Sequence, residues 1–323
     1  MRVGDPPAWP AIVAVVGGGR MGSGIAEAFA AGGLEVRVSD ATPELSQAAR
    51  ERVIERARGH VEAGLLAPEA LERAERVTAC DEAAQAVAGV DLVVEAVKED
   101  IDVKREVLAA IEAAAGDDAV IATNTSSLPV DELARALRRP ARFMGMHWFN
   151  PPEWTPGIEV VPVPETDAGA VERVLEFLRA LGKRPAVVRP GTGFVANRLQ
   201  MALLCEASRC VEEGLASPAE IDEVVRSCFG FRLPFFGPFQ IADMAGLDVY
   251  EAVAEEHRRV LGERFFVPER LRELVAAGKT GTASGAGYYV YDSDVEGPRD
   301  ERYAALGELT DRLPPQDFTP AED

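Results

Sequence analysis

Residues 13–30 read VAVVGGGRMGSGIAEAFA, and the reading of this stretch decides the fold. The β-branched run at 12–16 has the length of a strand buried on both faces of a parallel sheet. Gly17, Gly19 and Gly22 follow with the spacing G-x-G-x-x-G, flanked by Gly18 and Gly24. Residues 25–31 are Ala-rich with good helix propensity, and Gly32 and Gly33 close them. In such a turn the first glycine allows the sharp bend. The second lets the backbone approach a pyrophosphate, and the third lets helix and strand pack closely. Free N–H groups and the helix dipole favour an anion at that point. The next apolar run, 34–39, ends at Asp40, placed to accept hydrogen bonds from a ribose 2′-OH. Strand, glycines, helix, strand and acid in this order predict a dinucleotide site rather than an ordinary tight βα turn. A carboxylate at position 40 repels a 2′-phosphate, and neither Ala41 nor Thr42 supplies an arginine to hold one. The expected cofactor is therefore NAD rather than NADP.

Outward from this core, Thr42-Pro43-Glu44 reads as a helix start, with Thr as N-cap and Pro at the first helical position. A charged helix over 43–63 and a second over 68–76 form a hairpin longer than a minimal crossover requires. Strands are expected at 76–79, 91–97, 119–124, 142–149, 158–163 and 185–188, with helices at 103–115, 128–137 and 168–181. Such alternation predicts an α/β Rossmann-type fold, a doubly wound, mainly parallel sheet with an inserted helical hairpin. The character changes at Arg189-Pro190-Gly191-Thr192-Gly193, a hinge or boundary. Residues 1–189 are expected to form the nucleotide-binding domain and 190–323 a smaller, all-helical C-terminal domain. Its first helix, 194–211, is apolar around nearly its whole first half and is expected to be buried on all sides. Burial against a second copy would supply that cover, so a homodimer through the C-terminal domain is expected. Ser217-Pro218-Ala219-Glu220 is a capping box. The acidic, Pro-rich stretch from Pro314 is expected to be poorly ordered.

The chain has 323 residues, 47% of them hydrophobic, enough for two cores. With 34 Lys and Arg against 54 Asp and Glu, the formal net charge is -20. This argues against a nucleic-acid or anionic-membrane partner, while allowing a local basic patch. Cys80, Cys205, Cys210 and Cys228 lack C-x-x-C spacing, so reduced, mostly buried thiols in a cytoplasmic protein are expected, and no metal site. Pro6, Pro7 and Pro10 interrupt the first ten residues, where no signal peptide is read. No apolar run reaches the roughly 20 residues needed to span a bilayer.

Of three histidines, His60 lies in the charged hairpin and His257 on a solvated helix face. His147 stands near the end of an apolar strand, where ligands of open α/β sheets gather. Asn124-Thr125-Ser126-Ser127 follows another strand end, Glu159 begins the next strand, and Asn197 opens the helix beyond the hinge. Each also has a structural reading: a core histidine, a capped turn, an edge acid, a helix cap.

The chain resembles the L-3-hydroxyacyl-CoA dehydrogenases, including the bacterial 3-hydroxybutyryl-CoA dehydrogenases, from about residue 11 to residue 291. The resemblance rests on VVGGGRMGSGIA, DLVVEAVKED at 91–100, NTSSL at 124–128 and MHWFN at 146–150. It continues with GFVANR at 193–198, GPF at 237–239 and AGLD at 245–248. It implies an oxidoreductase of fatty-acid metabolism that uses NAD and an acyl-CoA. It further implies that His147 is the general base, oriented by Glu159. Ser126 and Asn197 would bond the reacting oxygen or the imidazole. Asn150 would position substrate and cofactor, Glu99 and Lys104 would contact the nicotinamide ribose, and Gly17, Gly19, Arg20, Met21 and Gly22 would line the cofactor. The chemistry is consistent. Oxidising a secondary alcohol needs a base for the hydroxyl proton while hydride leaves the adjacent carbon, and imidazole as a group suits that task. A carboxylate behind it fixes the tautomer.

Two places depart from the family pattern. The lysine of its closing Lys-Thr-Gly-x-Gly-Phe-like segment falls at Ala283, with Lys279 nearby. The hairpin that contacts CoA in the family is lysine-rich, whereas here it carries Arg50, Arg52, Arg56 and Arg58. Arg52 and Arg56, one helical turn apart, are expected to meet one phosphate of a short-chain acyl-CoA. The alternatives are an acyl-carrier-protein thioester, a free hydroxy acid of the gulonate or carnitine type, and a non-catalytic, crystallin-like dinucleotide-binding protein.

Overall fold

A computed structural model describes residues 9–291 and 296–312. The expectation for the tail from Pro314 lies outside the described residues. The chain divides into two compact units, Met1–Ala202 and Leu203–Asp323.

The first unit opens with β1 (Ile12–Val16), α1 (Arg20–Ala31) and β2 (Glu35–Ser39). The inserted pair α2 (Pro43–Glu62) and α3 (Glu69–Glu75) follows, then β3 (Thr78–Ala79), α4 (Ala83–Val87) and β4 (Leu92–Glu95). Next come α5 (Ile101–Ala114), β5 (Val120–Thr123), α6 (Val130–Ala134), β6 (Phe143–Trp148), β7 (Gly157–Pro162), α7 (Ala168–Ala180) and β8 (Arg184–Val187). The helix α8 (Ala196–Glu212) contains the division between the units.

The eight strands form one sheet in the order β3-β2-β1-β4-β5-β6-β7-β8. All neighbours are parallel except β6 and β7, which run antiparallel and set His147 opposite Glu159. Val13, Val15, Leu92 and Val94 pack on one face beneath α1 and α7, through Ile25, Phe29, Phe177 and Leu178. Ala14, Val93 and Ile121 pack on the other face with Leu108, Ile111 and Leu133. Strands covered on both faces read as continuous apolar runs, which is why this part of the sequence was informative.

Three local expectations change. The first helix begins at Arg20, so Gly22 and Gly24 lie within it rather than before it. A Cβ at Gly22 would sit 1.8 Å from the Gly17 carbonyl oxygen, so the close packing of turn and helix requires glycine there. The five-residue α4 was not expected; it is too short to show a helical period. The start of α8 was expected to be buried on all sides, yet none of its residues is buried, and Leu199 and Leu204 are 58% and 56% exposed. A strongly apolar helix in a single chain is covered only where another element lies against it, and the sequence pattern does not say from which molecule that element comes.

The second unit contains α9 (Pro218–Ser227), α10 (Pro238–Ala245), α11 (Leu247–Leu261), α12 (Glu269–Ala276) and α13 (Glu296–Arg312). Ser217 and Glu220 form the expected capping box. Ala242, Leu247, Val267, Leu271 and Leu274 make its small core. Asp243 fixes the segment that follows α12: its carboxylate accepts the amides of Tyr288 and Tyr289 (both 3.0 Å) and the Tyr291 hydroxyl (2.8 Å). Ala283 lies in a single 3-10 turn, Thr282–Ser284, and Lys279 is exposed.

Gly22→Ala should therefore expel the glycine turn from its place. An overpacked site costs about 1–3 kcal/mol, which corresponds to a fall in Tm of roughly 2–12 °C. A calorimetric scan checks this; an unchanged Tm would contradict the packing described.

Candidate functional site

The glycine turn is held from two sides. Gly17, at φ 100°, donates its amide to the Ser39 carbonyl (2.8 Å), and a Cβ there would meet the Ala96 backbone at 2.6 Å. Gly18 donates to Asp40 Oδ2 (2.8 Å), and its carbonyl accepts Arg52 Nε and Nη2 (3.2 and 2.7 Å). Gly19 caps α1 without a side chain, and a Cβ there would meet open space. In the first turn Arg20 is exposed and Met21 half-buried, and the turn holds no acidic residue. Asp40, Gly17, Gly19 and Val97 line a cavity of about 570 Å³. An open helix N-terminus, a backbone too close for side chains and an acid at the tip of β2 fit a dinucleotide.

Beside this groove, Glu99 gathers the segment after β5. One of its oxygens accepts Thr125 Oγ1 (2.6 Å), the amides of Ser126 (2.9 Å) and Ser127 (3.0 Å), and Ser127 Oγ (3.0 Å). Burial works to raise its pKa, but Thr125, the Ser126 and Ser127 amides and Lys104 outweigh it and hold the carboxyl below its ordinary value. Lys104 is almost wholly buried. Its Nζ bonds Glu95 Oε1 (2.7 Å) and the Val97 carbonyl (3.3 Å) and lies 3.6 Å from Glu99. Lys104, expected to contact the nicotinamide ribose, is 1% exposed beside Glu99. A charge this deep is satisfied by carboxylates of its own chain. Glu95 was missed in the sequence because it ends an apolar run, and its other oxygen accepts Thr123 Oγ1 (2.5 Å).

At the ends of β6 and β7, His147 Nδ1 and Glu159 Oε2 are 2.8 Å apart, and both residues are buried. Glu159 Oε1 accepts the amides of Val195 and Ala196 (both 2.9 Å) at the start of α8. Phe194, immediately before them, is buried at φ +46° and its ring lies 5.5 Å from the imidazole. Phe149 lies 4.4 Å from the imidazole. A bulky residue at positive φ is strained, and here it aims two consecutive amides at one carboxylate. Position 194 was not singled out in the sequence; the preceding Gly193 was the available signal. Asn197 Nδ2 donates to the Ser126 carbonyl (3.2 Å), joining the β5 segment to α8, and Asn124 Oδ1 accepts the Trp148 amide (2.9 Å). His147, Glu159, Asn197 and Ser126 are thus brought together, Ser126 through its backbone. Asn150 is exposed, three residues past His147.

Arg52 and Arg56, expected to meet a phosphate, make contacts within the chain. Arg52 grips Gly18, and Arg56 bonds Glu27 and Glu153. Both guanidiniums are occupied by acceptors within the chain. His60, in the same hairpin, has its Nδ1 2.6 Å from Glu27 Oε1. Among the described residues no cluster of His, Cys, Asp or Glu could hold a metal ion, and no helix is long and apolar enough to cross a membrane.

Comparison with known proteins places these features in context. The family profile of the 3-hydroxyacyl-CoA dehydrogenase NAD-binding domain matches residues 12–191, and that of the 3-hydroxyacyl-CoA dehydrogenase C-terminal domain matches residues 193–291. The chain is 36% identical over 282 residues to 3-hydroxybutyryl-CoA dehydrogenase of Mycobacterium tuberculosis, covering 86% of this chain and 98% of the relative. It is also 36% identical over 281 residues to 5-formyl-3-hydroxy-2-methylpyridine 4-carboxylate 5-dehydrogenase of Mesorhizobium japonicum, covering 86% and 90%. The crystal structure of a 3-hydroxyacyl-CoA dehydrogenase from Archaeoglobus fulgidus superposes with a TM-score of 0.77 at 35% identity, over 94% of this chain and 99% of that one.

The Lys104–Glu95 pair makes its own test possible. Lys104→Met leaves Glu95 buried without a counter-charge, which should cost about 3–5 kcal/mol. Adding Glu95→Gln should restore much of that loss. Denaturant unfolding of the two single variants and the double variant reads the coupling, and additive effects would refute the pairing.

Proposed function

Since the chain belongs to the 3-hydroxyacyl-CoA dehydrogenase family, whose members are NAD-dependent oxidoreductases, we propose that it interconverts short-chain 3-hydroxyacyl-CoA and 3-ketoacyl-CoA through the His147–Glu159 pair. The observation that carries this reading is the buried 2.8 Å contact between His147 Nδ1 and Glu159, with Glu159 held in turn by two amides. An ionised carboxylate is acceptor-only, so Nδ1 carries the proton and Nε2 is the nitrogen left to accept one. In the oxidative direction Nε2 takes the hydroxyl proton of the substrate, and Glu159 stabilises the imidazolium that results. NAD, when bound, supplies the acceptor for the hydride from the same carbon. Asn197 and the segment carrying Ser126 bound the space where the reacting oxygen belongs, and Asn150 contacts substrate and cofactor. Gly17, Gly19, Arg20, Met21, Gly22 and Asp40 receive the dinucleotide, with Glu99 at the nicotinamide ribose. Residues 1–189 serve as the NAD-binding domain and 190–323 as the domain for substrate and dimerisation, in a cytoplasmic protein.

A second reading is a dehydrogenase of a free acid. Two observations favour it: a relative of equal identity is named for a pyridine carboxylate, and the arginines of α2 are occupied internally. Oxidation of NADH with acetoacetyl-CoA, set against acetoacetate and a formyl-pyridine carboxylate, separates the readings. Thioester turnover with the higher kcat/KM supports the first, and equal or better use of a free acid replaces it. In the same assay His147→Gln should lower kcat by roughly 10²–10⁴ with NADH affinity retained. Glu159→Gln should also cause a large loss, and the double variant should fall well short of the product of the two. Independent effects would dissolve the pair.

The exposed apolar residues of α8 are read as the surface that meets a second copy. Sedimentation should give the mass of two chains, and Leu199→Glu with Leu204→Glu should give one. A monomer before substitution would remove this reading.

A further inference from the structure

Arg52, Arg56 and His60 recur every four residues, so they share one face of α2. Each reaches a different neighbour. Arg52 holds the Gly18 carbonyl of the glycine turn. Arg56 Nε bonds Glu27 Oε2 (3.1 Å), and its Nη2 bonds Glu153 Oε1. His60 bonds the other oxygen of Glu27, and its ring packs edge-on against Trp154 at 4.9 Å. Glu27 lies on α1, the helix that opens the dinucleotide site, and is 1% exposed. Glu153 and Trp154 lie in the irregular segment 150–156 that joins β6 to β7, just after Asn150.

That segment is fixed from the other side as well. Lys183 Nζ donates to the carbonyls of Pro152 (2.7 Å), Glu153 (3.3 Å) and Thr155 (3.0 Å). Its closest approach to α1 is at Gly24, where a Cβ would lie 2.6 Å from Pro152 Cγ and 2.9 Å from Glu153 Oε2. Burying charges in this way is a poor source of stability, since apolar residues of the same volume serve as well. Fixing one geometry is what such a network does better than an apolar contact. Burial pushes the Glu27 carboxyl up, although His60 and Arg56 oppose it. The Arg56 guanidinium is held charged, because Glu153 and Glu27 together outweigh its burial.

We propose that the Arg52–Arg56–His60 face of α2 is a positioning device. It sets the segment that carries Asn150 in register with the glycine turn and thereby links dinucleotide affinity to substrate affinity. The substrate half of the proposal rests on the reading of the His147–Glu159 site given above; the dinucleotide half does not. Arg56 and Glu153 act through other residues, since Arg56 is spent on two carboxylates and Glu153 is bonded to Arg56.

The test measures NADH affinity of the free protein by fluorescence titration, and KM and kcat with acetoacetyl-CoA at saturating NADH. Glu153→Gln and Arg56→Met should each raise the NADH Kd and the KM by about fivefold or more, the lower end of typical coupling between sites. kcat should change far less than KM, and Arg56→Lys should recover part of the loss. Arg56→Met removes the cation bonded to Glu153 and leaves Glu27 with His60 alone. The variant that also carries Glu27→Gln and Glu153→Gln removes both carboxylates that Arg56 pairs, so it keeps the test open should the single variant not fold. Variants that lose Tm yet keep NADH Kd and KM would overturn the proposal and leave a purely structural network. Absence of acetoacetyl-CoA turnover in the unaltered protein would instead refute the substrate reading, and the NADH titration would still decide the link to the dinucleotide.

Discussion

A single buried carboxylate, Glu159, joins the two parts of the chain on which the candidate site depends. One oxygen faces His147 across an antiparallel strand pair, and the other takes the amides of Val195 and Ala196 where α8 begins. Charge-assisted hydrogen bonds of this kind are about twice as strong as neutral ones. A helix N-terminus is also a favourable place for an anion. Glu159 therefore does two things with one charge: it stabilises the start of α8 and orients the imidazole. The positive φ of Phe194 is the strain accepted for that arrangement. Because β6 and β7 are antiparallel, the opposed pair is a property of sheet register, and a slip of one residue would turn one member to the other face.

Glu99 and Glu95 repeat the principle at the neighbouring strand end. Each carboxylate collects donors that would otherwise be unpaired: main-chain amides, a threonine hydroxyl and a buried ammonium. Segments at the C-terminal edge of a parallel sheet cannot use the ladder for their hydrogen bonds. Acidic side chains on the strand ends supply the missing acceptors. The rigidity of the site comes from this substitution, since residues 124–128 have no regular secondary structure to hold them.

What the sequence disclosed follows from the same physics. β1, the glycine turn, α1 and Asp40 were legible because each depends on neighbours close in the chain, and glycine at a tight approach has no substitute. The strands were legible as apolar runs, to within a residue or two. His147 and Glu159 could be brought together only once the strands were taken as adjacent. The α2 arginines were misread because a charge pattern shows spacing but not partners; Glu27, a residue of the apolar helix α1, became visible as their acceptor only in the fold. α8 shows the converse: its apolar surface was legible, and what covers it was not.

The distribution of cations carries the last step. A chain with formal net charge -20 has few positive side chains to spare for an anionic ligand. Around this site Lys104, Lys183, Arg52 and Arg56 are all turned inward onto carbonyls and carboxylates. The glycine turn adds backbone N–H groups and a helix dipole, which attract a pyrophosphate without carrying a formal charge, beside the exposed Arg20. Such donors are fixed by the fold and need no side-chain ordering on binding, so little conformational entropy is lost there. Of the inward cations, Arg52 is the one bonded to that backbone, at the Gly18 carbonyl. In these four residues positive charge acts on the fold itself, through the carbonyls and carboxylates it holds.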